Sequence, residues 1–191
     1  RDLREGGCGE QGGQGCGELE DADIVADVPI ELRLADAEIT HCLRLVSPCM
    51  VFVSLRHAPT LARVEHGVPQ VILIETQFDT FLSGVLEDDP LIDVDPEQGL
   101  VILYTSGTTG LPKGAVISQR AMVARAMCFA GEYGITAEHT YVAWSPLFHM
   151  AATDFSLATL MIGGKVVVQD GLDVDRLCAT IAAEPIGWLV A

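Results

Sequence analysis

The residues of this chain best equipped for chemistry stand together in one stretch, Thr105-Ser106-Gly107-Thr108-Thr109-Gly110-Leu111-Pro112-Lys113-Gly114. It holds four hydroxyl side chains, three glycines and a lysine, one of only two lysines in 191 residues. Glycines let backbone N–H groups turn towards an anion. Hydroxyls donate to phosphate oxygens, and a lysine adds a mobile positive charge. The combination suits a cradle for a polyphosphate. It is not the P-loop, which requires G-x-x-x-x-G-K-[ST]. Counting from Gly107, Pro112 stands where the second glycine belongs, and Gly114 replaces the hydroxyl after the lysine. Gly, Thr and Pro are also common turn residues, so residue type alone leaves a hairpin turn open as the second reading.

The elements that must position this loop follow from periodicity. Leu100-Val101-Ile102-Leu103-Tyr104 reads as a buried strand entering it, and Ala115–Ser118 as a strand leaving it. Ser118 is placed to cap a helix over Gln119–Gly131, with Met122, Ala126 and Phe129 on one face. Upstream, the pattern predicts a helix at Ala35–Val46, a strand at Met50–Ser54, a helix at Ala58–His66, a strand at Val71–Glu75 and a helix at Phe78–Leu86. Downstream it predicts strands at Thr140–Trp144, Lys165–Gln169 and Ile186–Ala191, with helices at Met150–Ile162 and Asp173–Glu184. Alternating strands and helices specify an α/β fold with a largely parallel sheet. Residues 1–20 are different in kind. They carry seven of the 19 glycines and two cysteines, and they read as a disordered glycine-rich segment.

The net charge is −16. Residues 1–99 hold 20 acids and 6 bases, residues 100–191 only 7 and 5, so the acidity belongs to the first half. That balance argues against nucleic acid as a partner. The run Glu87-Asp88-Asp89, with Asp93, Asp95 and Glu97, reads as a solvated connection. Six cysteines form no C-x-x-C pair, so neither a zinc ribbon nor a redox motif is expected. Cys42, Cys128 and Cys178 fall on apolar helical faces and read as small core residues. There is no secretory h-region and no apolar run of membrane-spanning length, which makes a cytoplasmic location the expectation.

Tyr104 to Gly114, YTSGTTGLPKG, resembles the signature of the adenylate-forming (AMP-binding) superfamily: acyl-CoA synthetases, luciferases and peptide-synthetase adenylation domains. Ser145-Pro146-Leu147-Phe148-His149 resembles that family's second core motif. Gly163-Gly164-Lys165-Val166-Val167-Val168 resembles the glycine turn and strand that follow it. Leu34–Ile39 and Asp173–Ala191 resemble flanking elements, so the likeness covers about residues 28–191. Members are several hundred residues long. The resemblance therefore implies that 21–191 is part of a large N-terminal AMP-binding domain, truncated at its C-terminus.

The family reaction joins a carboxylic acid to ATP as an acyl-adenylate, releases pyrophosphate, and passes the acyl group to a thiol, commonly coenzyme A. The resemblance assigns Ser106, Gly107, Thr108, Thr109, Gly110, Lys113 and Gly114 to the phosphates of ATP. It assigns Thr105 to Mg²⁺, and Lys113 and His149 to catalysis, with His149 beside the carboxylate and α-phosphate. The remaining histidines, 41, 57, 66 and 139, show no partner pattern. Peptide-synthetase domains carry Phe-Asp-x-Ser after this strand, whereas this chain has Asp154-Phe155-Ser156. Pro146–His149 fits acyl-CoA ligases better, which makes a fatty or aryl acid the expected substrate. The family's magnesium glutamate, ribose aspartate, adenine segment and terminal lysine would lie beyond Ala191, so the fragment alone is expected to be inactive. The alternatives at this stage are a non-catalytic nucleotide-binding or interaction remnant and a piece of a peptide-synthetase domain.

Overall fold

The computed structural model describes residues 26–31, 33–83, 93–105 and 110–189. The glycine-rich segment 1–20 and the acidic run 87–89 lie outside the described residues.

The first part contains α1 (Asp36–Val46), β1 (Met50–Val53), α2 (Ala58–Arg63), β2 (Gln70–Leu73) and α3 (Ile74–Leu82). Its first helix starts where Glu38 accepts the Ala35 N–H at 2.9 Å, with acids in the first turn and Arg44 in the last, as the helix dipole favours. Ile39 and Leu43 of α1 pack on Val53, Leu61, Val64 and Val68. Strands β1 and β2 pair in parallel, Met50 opposite Gln70. Helix α3 begins at Ile74, earlier than the expected Phe78, because the Gln77 side-chain carbonyl accepts the Leu73 N–H at 2.8 Å and starts the helix at the strand's end.

The second part contains β3 (Gly99–Thr105), β4 (Lys113–Ser118), α4 (Gln119–Tyr133), β5 (Thr140–Ala143), α5 (Met150–Met161), β6 (Lys165–Val168), α6 (Val174–Ala183) and β7 (Ile186–Trp188). The Ser118 hydroxyl caps α4 as expected, accepting from the Ala121 N–H at 3.2 Å. Strand β5 is buried along its whole length and takes β6 and β7 as parallel neighbours. Helix α5 packs on this sheet and on α4 around Tyr141, Phe129, Phe155 and Trp188. The Phe155 and Trp188 rings are 4.5 Å apart, edge to face. The Trp188 indole N–H is satisfied by the Thr159 hydroxyl at 3.0 Å.

Parallel pairing holds for β1–β2, β5–β6 and β5–β7. The strands flanking the candidate loop are antiparallel instead, because the link between Thr105 and Lys113 is too short for the crossover a parallel pair requires. Of the cysteines expected in the core, Cys42 is fully buried, but Cys128 and Cys178 are exposed. The buried line of α4 runs through Met122 and Ala126, and Cys128 turns away from it. Helix α6 fully buries none of its residues.

Candidate functional site

The hydroxyl- and glycine-rich stretch joins the two antiparallel strands β3 and β4, as the hairpin reading expects. Its tip, Ser106, Gly107, Thr108 and Thr109, lies outside the described residues; both limbs are within them. Thr105 and Lys113 face each other as the last ladder pair, and the Thr105 hydroxyl leans on the Lys113 carbonyl at 3.4 Å. Both residues are exposed. Gly110 has φ +137°, a backbone conformation that a side chain would strain. Lys165 is engaged by Glu184, whereas Lys113 makes no ion pair among the described residues. The hairpin thus carries a solvent-facing ammonium and hydroxyl at the base of the loop.

Below that base the hairpin is fastened to α1. The Tyr104 hydroxyl donates to the Cys42 carbonyl at 2.6 Å. His41 Nε2 lies 3.0 Å from the Pro112 carbonyl oxygen. A carbonyl only accepts, so His41 carries a proton on Nε2. Pro112 is buried. Gly114 sits opposite Tyr104, and a Cβ there would stand 3.0 Å from Ile102 Cγ2 and 3.7 Å from both Leu45 Cδ2 and the Tyr104 ring. Gly114 therefore serves close packing as well as any approach to an anion. Burial holds the Tyr104 phenol in its neutral, donating form by raising its pKa well above the ordinary tyrosine value. Burial, with a lesser contribution from Glu38, pushes the Cys42 thiol up to about 11. Cys42 is consequently an inert core thiol.

His41 and Tyr104 were not expected at this site. His41 is 71 residues from its partner, and no local pattern announces such a bond. Tyr104 was legible as the end of an apolar run and the first residue of the signature stretch, with no sign of its bond to α1.

His149 is the residue before the first turn of α5, in extended conformation, with no side-chain cap bond. Its ring is exposed and lies 4.7 Å from the Phe148 ring. The motif around it is held by backbone: the Pro146 carbonyl accepts the His149 N–H at 3.0 Å, and the Leu147 carbonyl accepts the Thr153 hydroxyl. The Arg33 guanidinium, just ahead of α1, lies over Phe148 at 5.8 Å. The surroundings of α1 therefore touch both the hairpin and the His149 motif. Asp154 is no substrate-gripping carboxylate here. It is 2% exposed and accepts from Nε of Arg125 at 2.9 Å and again from Nη2, tying α5 to α4.

Among the described residues, no cluster of three or more histidine, cysteine or carboxylate side chains is arranged to hold a metal ion, and no helix is long and apolar enough to cross a membrane.

A sequence model described as AMP-binding enzyme matches residues 25–191. Indoleacetate–CoA ligase of Aromatoleum aromaticum is 29% identical over 171 residues, covering 83% of this chain and 33% of the relative. A long-chain-fatty-acid–CoA ligase of Mycobacterium tuberculosis is 26% identical over 164 residues, with the same two coverages. Among solved structures, the inhibitor-bound N-terminal domain of FACL13 from Mycobacterium tuberculosis superposes with a TM-score of 0.73 at 25% identity, covering 82% of this chain and 40% of that one. A long-chain-fatty-acid CoA ligase of Rhodopseudomonas palustris shares the fold, with a TM-score of 0.71 at 23% identity, covering 82% of this chain and 41% of that one. The chain spans about a third of the length of the curated relatives it matches.

Proposed function

From the premise that this chain belongs to the AMP-binding enzyme family, we propose that it is the phosphate-gripping part of an AMP-forming carboxylic acid–CoA ligase. The observation that carries this reading is the hairpin, which holds Thr105 and Lys113 side by side and open to solvent at the base of a glycine- and hydroxyl-rich loop. The two relatives named above are both ligases of acids with CoA, which favours that branch over peptide synthetases, as does the sequestration of Asp154 by Arg125.

In this reading a carboxylate attacks the α-phosphorus of ATP and pyrophosphate leaves. Two anions must meet and charge gathers on the leaving group, so the protein's task is positioning and electrostatic stabilisation. Lys113 supplies a charge that no carboxylate among the described residues has already neutralised. Ser106, Gly107, Thr108, Thr109, Gly110 and Gly114 complete the grip on the β- and γ-phosphates. His149, on an exposed ring before α5, orients the carboxylate. Magnesium takes few protein ligands and fills the rest of its shell with water and phosphate oxygens. A lone exposed hydroxyl fits that habit, so Thr105 is the residue that would contribute to holding it. When bound, the ion neutralises phosphate charge. Coenzyme A would accept the acyl group in the second step. A soluble, cytoplasmic enzyme acting on a fatty or aryl acid completes the reading.

The test is acid-dependent exchange of pyrophosphate into ATP, measured in the family-length enzyme that this reading implies. Losing one charge-assisted contact removes on the order of 1.5–3 kcal/mol, so Lys113→Ala should slow exchange roughly 10- to 100-fold. Unchanged kinetics would refute the assignment of the loop.

A further inference from the structure

We propose that His41 is the positioning residue that aims Lys113, by holding the Pro112–Lys113 peptide unit against α1. The inference rests on the reading of this loop as a phosphate cradle and adds to it the device that sets the cradle's one lysine.

The bond from His41 Nε2 ends on the Pro112 carbonyl, 3.0 Å away. A peptide unit is planar, so fixing that C=O also fixes the N–H and Cα of the next residue. The next residue is Lys113. Pro112 is buried and Lys113 exposed, so the tether lies on the inner side of the limb and the ammonium projects outward. Proline adds a second restriction by locking its own φ. The opposite limb is fastened from the neighbouring residue of the same helix, Tyr104 Oη donating to the Cys42 carbonyl at 2.6 Å. Adjacent residues of α1 thus hold both sides of the hairpin just where the loop departs, and only the His41 bond reaches the limb that carries the lysine. Neither bond touches the face on which Thr105 and Lys113 are exposed. The tether therefore acts through the direction of Lys113 and makes no contact of its own with a nucleotide.

Trypsin cleaves after lysine, so scission at Lys113–Gly114 in the 191-residue chain reports how often this limb lifts. When reclosing is fast, cleavage tracks the open population. Loss of a neutral hydrogen bond should make His41→Ala cleave about two- to tenfold faster at this site, relative to the arginine sites of the same chain. His41→Gln, which returns an N–H near the same place, should restore most of the protection. Magnesium pyrophosphate should slow scission in the wild-type chain and in His41→Gln, but less in His41→Ala. Nitrogen-15 spectra of the wild-type imidazole should show the proton on Nε2, a readout that needs no variant to fold. A wild-type cleavage rate in His41→Ala, or a neutral His41 protonated only on Nδ1, would overturn the tether. If scission accelerates in His41→Ala but magnesium pyrophosphate protects nothing, the tether stands and the phosphate reading falls, so the two failures are separable.

Discussion

Arg125 and Asp154 join the two halves of the candidate site. Helix α4 runs on directly from β4 and so from the loop, while α5 starts just after His149. Their ion pair is lopsided. Asp154 is 2% exposed, Arg125 46%. Both guanidinium contacts go to the same oxygen, Oδ2, while Oδ1 is buried without a protein partner among the described residues. Removing the arginine strands a buried carboxylate; removing the aspartate frees a guanidinium that already reaches water. Breaking a fully buried pair costs about 3–5 kcal/mol. Water at Arg125 reduces this, and we expect Arg125→Ala to cost about 2–3 kcal/mol. For a chain of this size that lowers the melting temperature by about 4–12 °C.

Asp154→Ala should cost less than Arg125→Ala. The double variant should resemble Asp154→Ala, so the coupling energy in a double-mutant cycle should equal the whole Arg125→Ala cost, about 2–3 kcal/mol. Thermal unfolding followed by circular dichroism, with urea titration as a second measure, supplies the four values. Two results would refute the reasoning: additive losses in the double variant, or an Arg125→Ala effect within the ~0.5 kcal/mol range of ordinary surface changes.

Gly114→Val should destabilise the hairpin by about 1–3 kcal/mol through overpacking against Ile102, Leu45 and Tyr104, whereas Gly114→Ala needs only a small shift of Ile102. Equal urea midpoints for Gly114→Val and the wild type would contradict the packing role. Stability should also fall at alkaline pH. The Cys42 thiol is raised from 9.0 to about 11, so the folded chain holds that proton more tightly than the unfolded one. The associated stability is fully present below about pH 9 and is lost as pH climbs through about 11, a loss of about 2–3 kcal/mol. Tyr104, raised in the same direction, extends the decline to higher pH. Urea midpoints from pH 7 to 11 should drop in the wild type and drop less in Cys42→Ala; parallel curves would remove Cys42 as the cause.

Much of this architecture was readable because its signals are local. Ser118 before Gln119 is a capping preference, and it became an observed cap. The alternation of apolar strands and helices from Ala35 onward placed most elements to within a few residues. YTSGTTGLPKG and Pro146–His149 pointed to the family because both are contiguous, and the match over residues 25–191 agrees. Burial was less legible. Cys128 and Cys42 stand in similar helical patterns, yet only Cys42 is enclosed, because enclosure depends on what lies across the gap from a helix.

The sequence by itself determined which chemical groups stand in the loop proposed to grip an anion: four hydroxyls, three glycines and a lysine in ten residues. A contiguous motif needs no folding to be recognised, since spacing along the chain is already written in it. Tertiary structure decided how the described ends of that loop are held. It set the antiparallel return that puts Lys113 beside Thr105, and the helix 71 residues upstream whose His41 reaches the Pro112 carbonyl. It also buried Asp154 against Arg125. The physical reason is range. Caps, turns and strand periods act over a few residues, whereas a hydrogen bond or ion pair across a long stretch of chain forms only after packing has brought its two ends together.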